Sequence, residues 1–352
     1  MDSQARTSTS GGGAGGVSSG GIGAMVTGGT DGTGDGGASV SVGSTSNHGG
    51  HGGDGGSSAS SGSGGAPMTV LPCDALPAPG TWESITPPES MGIGSNAIAL
   101  DPFDAGVVWL SASASAPGGL YKSTDCAASF TLVSTGQNAD AVNAEAFNSL
   151  VLDPLHQGVI YASVGVNAGP GTGVLKSTNG GVDWVNVLPP DSEAGQAVDG
   201  GLVNSVGVEA ANPDHLVVSM HANCHAPYGP VCEAESTDGG ATWTLTTVDI
   251  PGASGWVAGA GALILDANRW LFTTNDQGIW LTDNRGETWS TATPEGAIGA
   301  TEGKTLNTPF LPRADGNYYL PSEHGTLRSS DGTTWTLLPN SGGRAGTLAS
   351  GT

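Results

Sequence analysis

The sequence predicts an all-β fold built from repeated four-stranded units, and three observations predict it. An octapeptide recurs at Ser177–Trp184 (STNGGVDW), Ser236–Trp243 (STDGGATW) and Thr282–Trp289 (TDNRGETW), with a degenerate copy at Ser123–Phe130 (STDCAASF) and a copy one residue short at Ser329–Trp335 (SSDGTTW). The aromatic ends fall at 130, 184, 243, 289 and 335, with spacings of 54, 59, 46 and 46, the length that four short strands and their turns require. Short β-branched or aromatic runs bounded by turn residues occupy matching places in every repeat. A period of this size that holds four strands is the signature of a β-propeller, one blade per repeat.

Taken in order, the first 66 residues hold 24 of the 61 Gly and almost no large apolar side chain. Such a segment cannot bury enough surface to offset its conformational entropy, so 1–66 is expected to be a disordered Gly/Ser-rich tether and 67–352 the propeller. Thr81–Pro88 (TWESITPP) matches the fourth strand at Asp183–Pro190 (DWVNVLPP) and reads as an N-terminal strand that completes the last blade. First strands are expected at 96–101, 148–153, 204–209, 261–266 and 307–312, and second strands at 107–113, 159–165, 215–221, 269–275 and 317–323. Third strands lead into each octapeptide, and fourth strands start at its aromatic residue. In the octapeptide itself the Asp or Asn accepts backbone N–H bonds, Gly supplies a conformation closed to other residues, and Trp packs between sheets. The tail at 342–350 reads as the start of a sixth first strand. Two architectures therefore stay open: a five-bladed ring with a spare edge strand, or a six- or seven-bladed ring cut short.

The octapeptides resemble the Asp-box (BNR) repeat of sialidase-like and xyloglucanase-like β-propellers, over residues 82–339. The resemblance implies that the boxes lie on the face opposite the working site. The working face then collects the loops between second and third strands and the blade-to-blade connections. On it the sequence places Glu145, Asp191, Glu193, Asp199, Asp276, Glu302, Glu323, His221, His225 and His324, with Lys304 and Arg344 as its cations. The box face takes Arg269, Arg285, Arg313, His156 and His215, which read as solvated turn residues.

Composition narrows the function. With 32 acidic against 9 basic residues the net charge is −23, which argues against nucleic acid and anionic membrane surfaces. No run of 18 apolar residues exists to span a membrane. Sialidases hold the substrate carboxylate with three arginines, which this face cannot assemble. Their N-terminal Phe-Arg-Ile-Pro signature is also absent, so sialidase activity is not expected. In the xyloglucanase-like enzymes one catalytic Asp lies in an Asp-Val-Gly-Gly stretch. The corresponding stretch here is Ala116–Gly119 (APGG), with Ala where the acid belongs.

The expected function is binding of a glycan or an extracellular protein on the acidic upper face. The alternative is a glycoside hydrolase acting on a neutral polysaccharide through paired carboxylates, for which Glu323 with Asp276 or Asp199 is the candidate catalytic set. Candidate ligand-binding residues are Asn96, Asn148, Asn204 and Asn307, which open four of the five first strands at one register, and His221, His225, Tyr228, Asn275 and His324. Amides both donate and accept and so suit neutral sugars, although each Asn equally suits the backbone where a loop enters a strand. Cys224 and Cys232 sit eight apart in the longest loop of this face and read as a disulfide that stiffens it, in preference to a metal site made with His221 and His225. Cys73 and Cys126 are a second candidate pair, tying the N-terminal strand to the first blade. No cofactor or metal is expected. Disulfides and a Gly/Ser-rich tether point to a secreted or surface-held monomer, lipid-anchored through a segment upstream of Met1.

Overall fold

The computed structural model describes residues 95–112, 119–144, 147–164, 171–251, 261–274, 278–293, 311–312, 316–322 and 325–339. The tether at 1–66, the strand at 81–88 and the tail at 342–350 lie outside the described residues.

Among the described residues the protein is a β-propeller of five four-stranded antiparallel blades. The first blade is β1 (Ser95–Leu100), β2 (Val108–Ala112), β3 (Leu120–Ser123) and β4 (Thr131–Leu132); the second is β5 (Phe147–Leu152), β6 (Ile160–Val164), β7 (Gly173–Ser177) and β8 (Val185–Asn186). The third blade is β9 (Val203–Glu209), β10 (Asn212–Met220), β11 (Cys232–Ser236) and β12 (Thr244–Thr247). The fourth is β13 (Gly261–Asp266), β14 (Arg269–Thr274), β15 (Gly278–Thr282) and β16 (Ser290–Thr291), and the fifth β17 (Leu311–Pro312), β18 (Tyr318–Ser322), β19 (Gly325–Ser329) and β20 (Thr336–Leu337). Strand order in every blade follows the sequence, as up-and-down hairpins require. The first strands pack in turn, β1 on β5, β5 on β9 and β9 on β13, and form the inner layer.

Each octapeptide folds into the same turn between third and fourth strands. The hydroxyl at its first position accepts the N–H of the fifth residue in four blades, at 2.8 Å for Ser123, 2.9 Å for Ser177, 2.9 Å for Ser236 and 2.8 Å for Thr282. The acid or amide at the third position accepts the N–H of the seventh, Asp125 from Ser129, Asn179 from Asp183, Asp238 from Thr242 and Asn284 from Thr288. The fourth and fifth residues are both left-handed, which explains the Gly-Gly of the full copies: Gly239 and Gly240 have φ 69° and 93°. The closing aromatics seal the seams. Trp184, fully buried, joins Trp109 and Leu120 of the first blade, and Trp335 joins Leu263 and Leu271 of the fourth.

Serine hydroxyls bond the inner strands of adjacent blades to one another. Ser149 Oγ accepts the Val206 N–H at 3.1 Å, and Ser205 Oγ accepts the Ala262 N–H at 3.0 Å. Ser163 Oγ donates to the Asn204 carbonyl at 2.7 Å. Two short helices, α1 (Ala139–Asn143) and α2 (Glu193–Gln196), occupy blade-to-blade connections. Neither was legible as a helix, because four or five residues carry no period. Ser192 caps α2 by accepting the Gly195 N–H at 3.0 Å.

Candidate functional site

Strand direction places the 221–231 loop (between β10 and β11) and the 187–202 connection (between β8 and β9) at the end of the third blade opposite its octapeptide turn. The two segments are locked together. His221 N–H donates to the Leu202 carbonyl (3.0 Å), Asp199 N–H to Asn223 (3.0 Å) and His225 N–H to Ala197 (2.7 Å), while Val198 and Cys224 form an antiparallel bridge. The expected Cys224–Cys232 disulfide closes the base of the loop, with Cα atoms 5.9 Å apart. Cys126 is disulfide-bonded as well; its expected partner, Cys73, lies outside the described residues. Gly229 is required by close approach, since a Cβ there would sit 2.1 Å from the Cys224 carbonyl oxygen.

On this platform Asp199 and His225 form an exposed pair through Asp199 Oδ1 and His225 Nε2. The Nδ1 of His225 lies 3.2 Å from the Gln196 carbonyl, so both ring nitrogens meet acceptors and the imidazolium suits the position. The Asp199 hydrogen bond raises the His225 pKa above its ordinary value. His221 is half-buried, and burial lowers its pKa. Tyr228 is partly buried against the third-blade core, and its N–H donates to the His225 carbonyl at 2.9 Å. The sequence-predicted residues Asp199, His221, His225 and Tyr228 are thus gathered by one pair of segments.

The others are placed differently. Asn148 is buried, and its Nδ2 donates to the Val203 carbonyl of the next inner strand at 3.2 Å. Asn204 is also buried. Asn96 stands in β1, its side chain outside the description. Glu323, Asp276, Asn307, Asn275 and His324 lie outside the described residues.

Charge divides between the two ends. Exposed Asp140, Asp191, Glu193, Asp199 and Asp249 lie at the platform end. Every described Lys or Arg (Lys122, Lys176, Arg269, Arg285 and Arg328) lies on a third strand next to an octapeptide turn, in such a turn, or in a first-to-second-strand turn at the same end. His215 departs from its expected solvated state: it is 2% exposed, bonded to Glu209 at 2.8 Å and Glu235 at 2.9 Å. The buried Glu233 was likewise missed. The available signal was the aligned third strand, where the third blade carries Glu233 and Glu235 in place of an apolar residue and a cation.

Fold and site together define a β-propeller that presents a crosslinked, anionic loop platform at the end opposite its repeated turns. No family model matches the sequence, and no curated protein matches it. Among solved structures the chain is similar to the GH74 xyloglucanase from Xanthomonas campestris, at 15% identity and TM-score 0.48 over 75% of this chain and 40% of that one. It is similar to YCF48 from Cyanidioschyzon merolae, at 13% identity and TM-score 0.42 over 75% of this chain and 90% of that one. It is also similar to PorZ, a surface component of the type-IX secretion system of Porphyromonas gingivalis, at 15% identity and TM-score 0.43 over 70% of this chain and 27% of that one. The chain spans 40% of the xyloglucanase's length.

Proposed function

We propose that the protein is an Asp-box propeller of the cell surface or extracellular space that binds a glycan or protein ligand through the platform formed by Asp199, His221, His225 and Tyr228. The observation that carries this reading is the double fastening of the 221–231 loop to the 187–202 connection, by the Val198–Cys224 β-bridge and the Asp199–His225 pair, on a loop whose base its own disulfide closes. Such fastening holds polar side chains in place before a ligand arrives and lowers the ordering cost of binding. The repeated Ser-to-Gly and Asp-to-Thr turn bonds support the Asp-box assignment. The Cys224–Cys232 crosslink supports an oxidising compartment.

A neutral glycan is the ligand that the chemistry favours. The platform offers a tyrosine ring for apolar sugar faces together with acceptors and donors for hydroxyls, and among the described residues of this end no Lys or Arg is present to hold an anion. Asp199 is engaged by His225, so the hydrolase alternative rests on Glu323 and Asp276. Binding to an array of neutral and acidic glycans tests the reading. Signal on neutral glycans that is lost on His225→Ala with Tyr228→Ala supports it, and signal confined to acidic glycans overturns it. Capture of a protein partner that the same pair of substitutions abolishes selects the protein form of the reading.

A further inference from the structure

The third blade breaks the repeat at two aligned positions of its third strand. Where β3, β7 and β15 carry Leu120, Val174 and Ile279, β11 carries Glu233; where β3, β7 and β19 carry Lys122, Lys176 and Arg328, it carries Glu235. A strand period of two puts both acids on one side of the sheet, and both meet the fourth blade. Glu235 is bonded by Arg285 of the fourth-blade turn at 2.7 Å and by His215 Nε2 at 2.9 Å, and His215 Nδ1 lies 2.8 Å from Glu209. Burial opposes charge on His215, but its two carboxylate partners outweigh that and raise its pKa. Glu209, His215, Glu235 and Arg285 therefore form one bonded series in which acids and bases alternate.

Glu233 has no counter-charge left. It is 1% exposed; Oε2 accepts the Trp270 indole N–H at 3.0 Å, and Oε1 is buried without a hydrogen-bond partner among the described residues. The Oε1 atom faces Gly286 of the fourth-blade turn, where a Cβ would lie 2.5 Å away. In the first blade the apolar Leu120 fills the same place against Gly181, with 2.8 Å to the equivalent Cβ position. Glu233 thus sits where the repeat puts an apolar plug. One neutral donor and a neighbouring series bonded within itself make that site hostile to a carboxylate.

We propose that Glu233 is a proton-gated latch between the third and fourth blades: the neutral acid plugs the seam, and its ionisation loosens it. Burial pushes the Glu233 carboxyl up to about 8, against the Trp270 hydrogen bond and assisted by the Glu235 charge. Glu235 on β11 is the charge that acts on it, and Arg285 of the fourth-blade turn, His215 and Glu209 are held in the Glu235 series; Trp270, Thr246 and Gly286 bring no charge. The closed seam holds the proton more tightly than the open one. Its stability is therefore greatest below the ordinary value of 4.5 and falls as pH rises from there to about 8. Glu233 adjoins Cys232, so loosening β11 also loosens the base of the 221–231 loop.

Two amides of like chemistry give the test on the full chain. Ala262 N–H bonds Ser205 across the gated seam, and Val206 N–H bonds Ser149 across the seam between the second and third blades. By hydrogen exchange, the protection of Ala262 relative to Val206 is expected to fall by up to about tenfold per pH unit between about pH 5 and 8, and to level off above. Infrared spectroscopy at about pH 7 is expected to show a protonated carboxyl stretch that Glu233→Gln removes. Glu233→Leu, which restores the plug of the first blade, is expected to make the protection ratio independent of pH. A wild-type ratio that does not change with pH, the absence of a protonated carboxyl at about pH 7, or a ratio in Glu233→Leu that still falls with pH would each overturn the proposal.

Discussion

In the second octapeptide turn the acid and its partner have exchanged places. The first and third turns pair an acid at the third position with a hydroxyl at the seventh: Ser129 Oγ donates to Asp125 Oδ2 and Thr242 Oγ1 to Asp238 Oδ2, both at 2.6 Å. The second turn has Asn179 and Asp183 instead, and Asn179 Nδ2 donates to Asp183 Oδ2 at 2.7 Å. Asn179→Asp replaces that charge-assisted bond with two facing carboxylates. Two unit charges about 4 Å apart repel by about 1 kcal/mol in water and about 4 kcal/mol at an effective dielectric of about 20. The site is largely open, so the lower part of that range applies, and the expected loss is about 1–2 kcal/mol. Asp183→Thr alone leaves an amide–hydroxyl pair of the kind already present at Asn284 and Thr288 (2.9 Å), but removes the acceptor for the Gln137 N–H, a loss of about 1 kcal/mol. The double variant recreates the Asp–Thr pair, so it should be no less stable than Asp183→Thr. The double-mutant cycle then yields a favourable coupling of about 1–2 kcal/mol. Denaturant unfolding of the four chains at neutral pH measures it. Additivity within about 0.5 kcal/mol would refute the idea that the two positions are one exchangeable unit.

Four further outcomes follow from the same geometry. Gly240→Ala should destabilise the fold by at least about 1–2 kcal/mol, because φ is 93° and a Cβ would meet Val187 at 2.9 Å; thermal unfolding checks it. Ser205→Ala strands the Ala262 N–H at the seam of the third and fourth blades and should cost about 1–3 kcal/mol, with Ala262 exchange accelerated more than Val206 exchange. Removing the Cys224–Cys232 crosslink by paired Ser substitution should cost about 2–3 kcal/mol for a loop of this size, read from unfolding with and without reductant. The His225 pKa is raised in the folded state, so the Asp199–His225 fastening is fully present below the ordinary 6.5 and is lost as pH rises through the raised value. Exchange of the Asp199 and His225 amides should therefore quicken across that window beyond the intrinsic pH effect, and a His225→Gln chain should lack the extra quickening.

The propeller was legible because its repeat is written in local chemistry. A hydroxyl, an acid, two left-handed residues and an aromatic recur at one register, and each answers a need of a single tight turn. The alternation of β-branched and polar residues then set most strands within a residue or two of where they stand, although β10 starts at Asn212, three residues ahead of the expected 215. The crosslinked loop was legible for the same reason, through Cys224 and Cys232 in one short stretch. What escaped depends on contacts between blades. Ser149 and Ser205 look like ordinary strand residues until the neighbouring inner strand supplies an N–H. His215 looks like a turn histidine until Glu209 and Glu235 close around it. Asn148 reads equally as a mouth-lining amide or a backbone tie, and only the Val203 carbonyl of the next blade gives it a partner. Glu233 was visible as an acid at an apolar position, but its meaning depends on Gly286 in a different blade.

The platform end of the propeller is the end expected to meet a ligand. Binding of the full chain to one array of neutral and acidic glycans should be compared for the wild type, for His225→Ala with Tyr228→Ala at the platform, and for Arg269→Ala at the opposite end, whose ion pair with Asp266 is exposed. Neutral-glycan signal should be abolished by the platform pair and unchanged by Arg269→Ala. Signal that survives the platform substitutions and falls with Arg269→Ala would place the ligand at the wrong end for this reading.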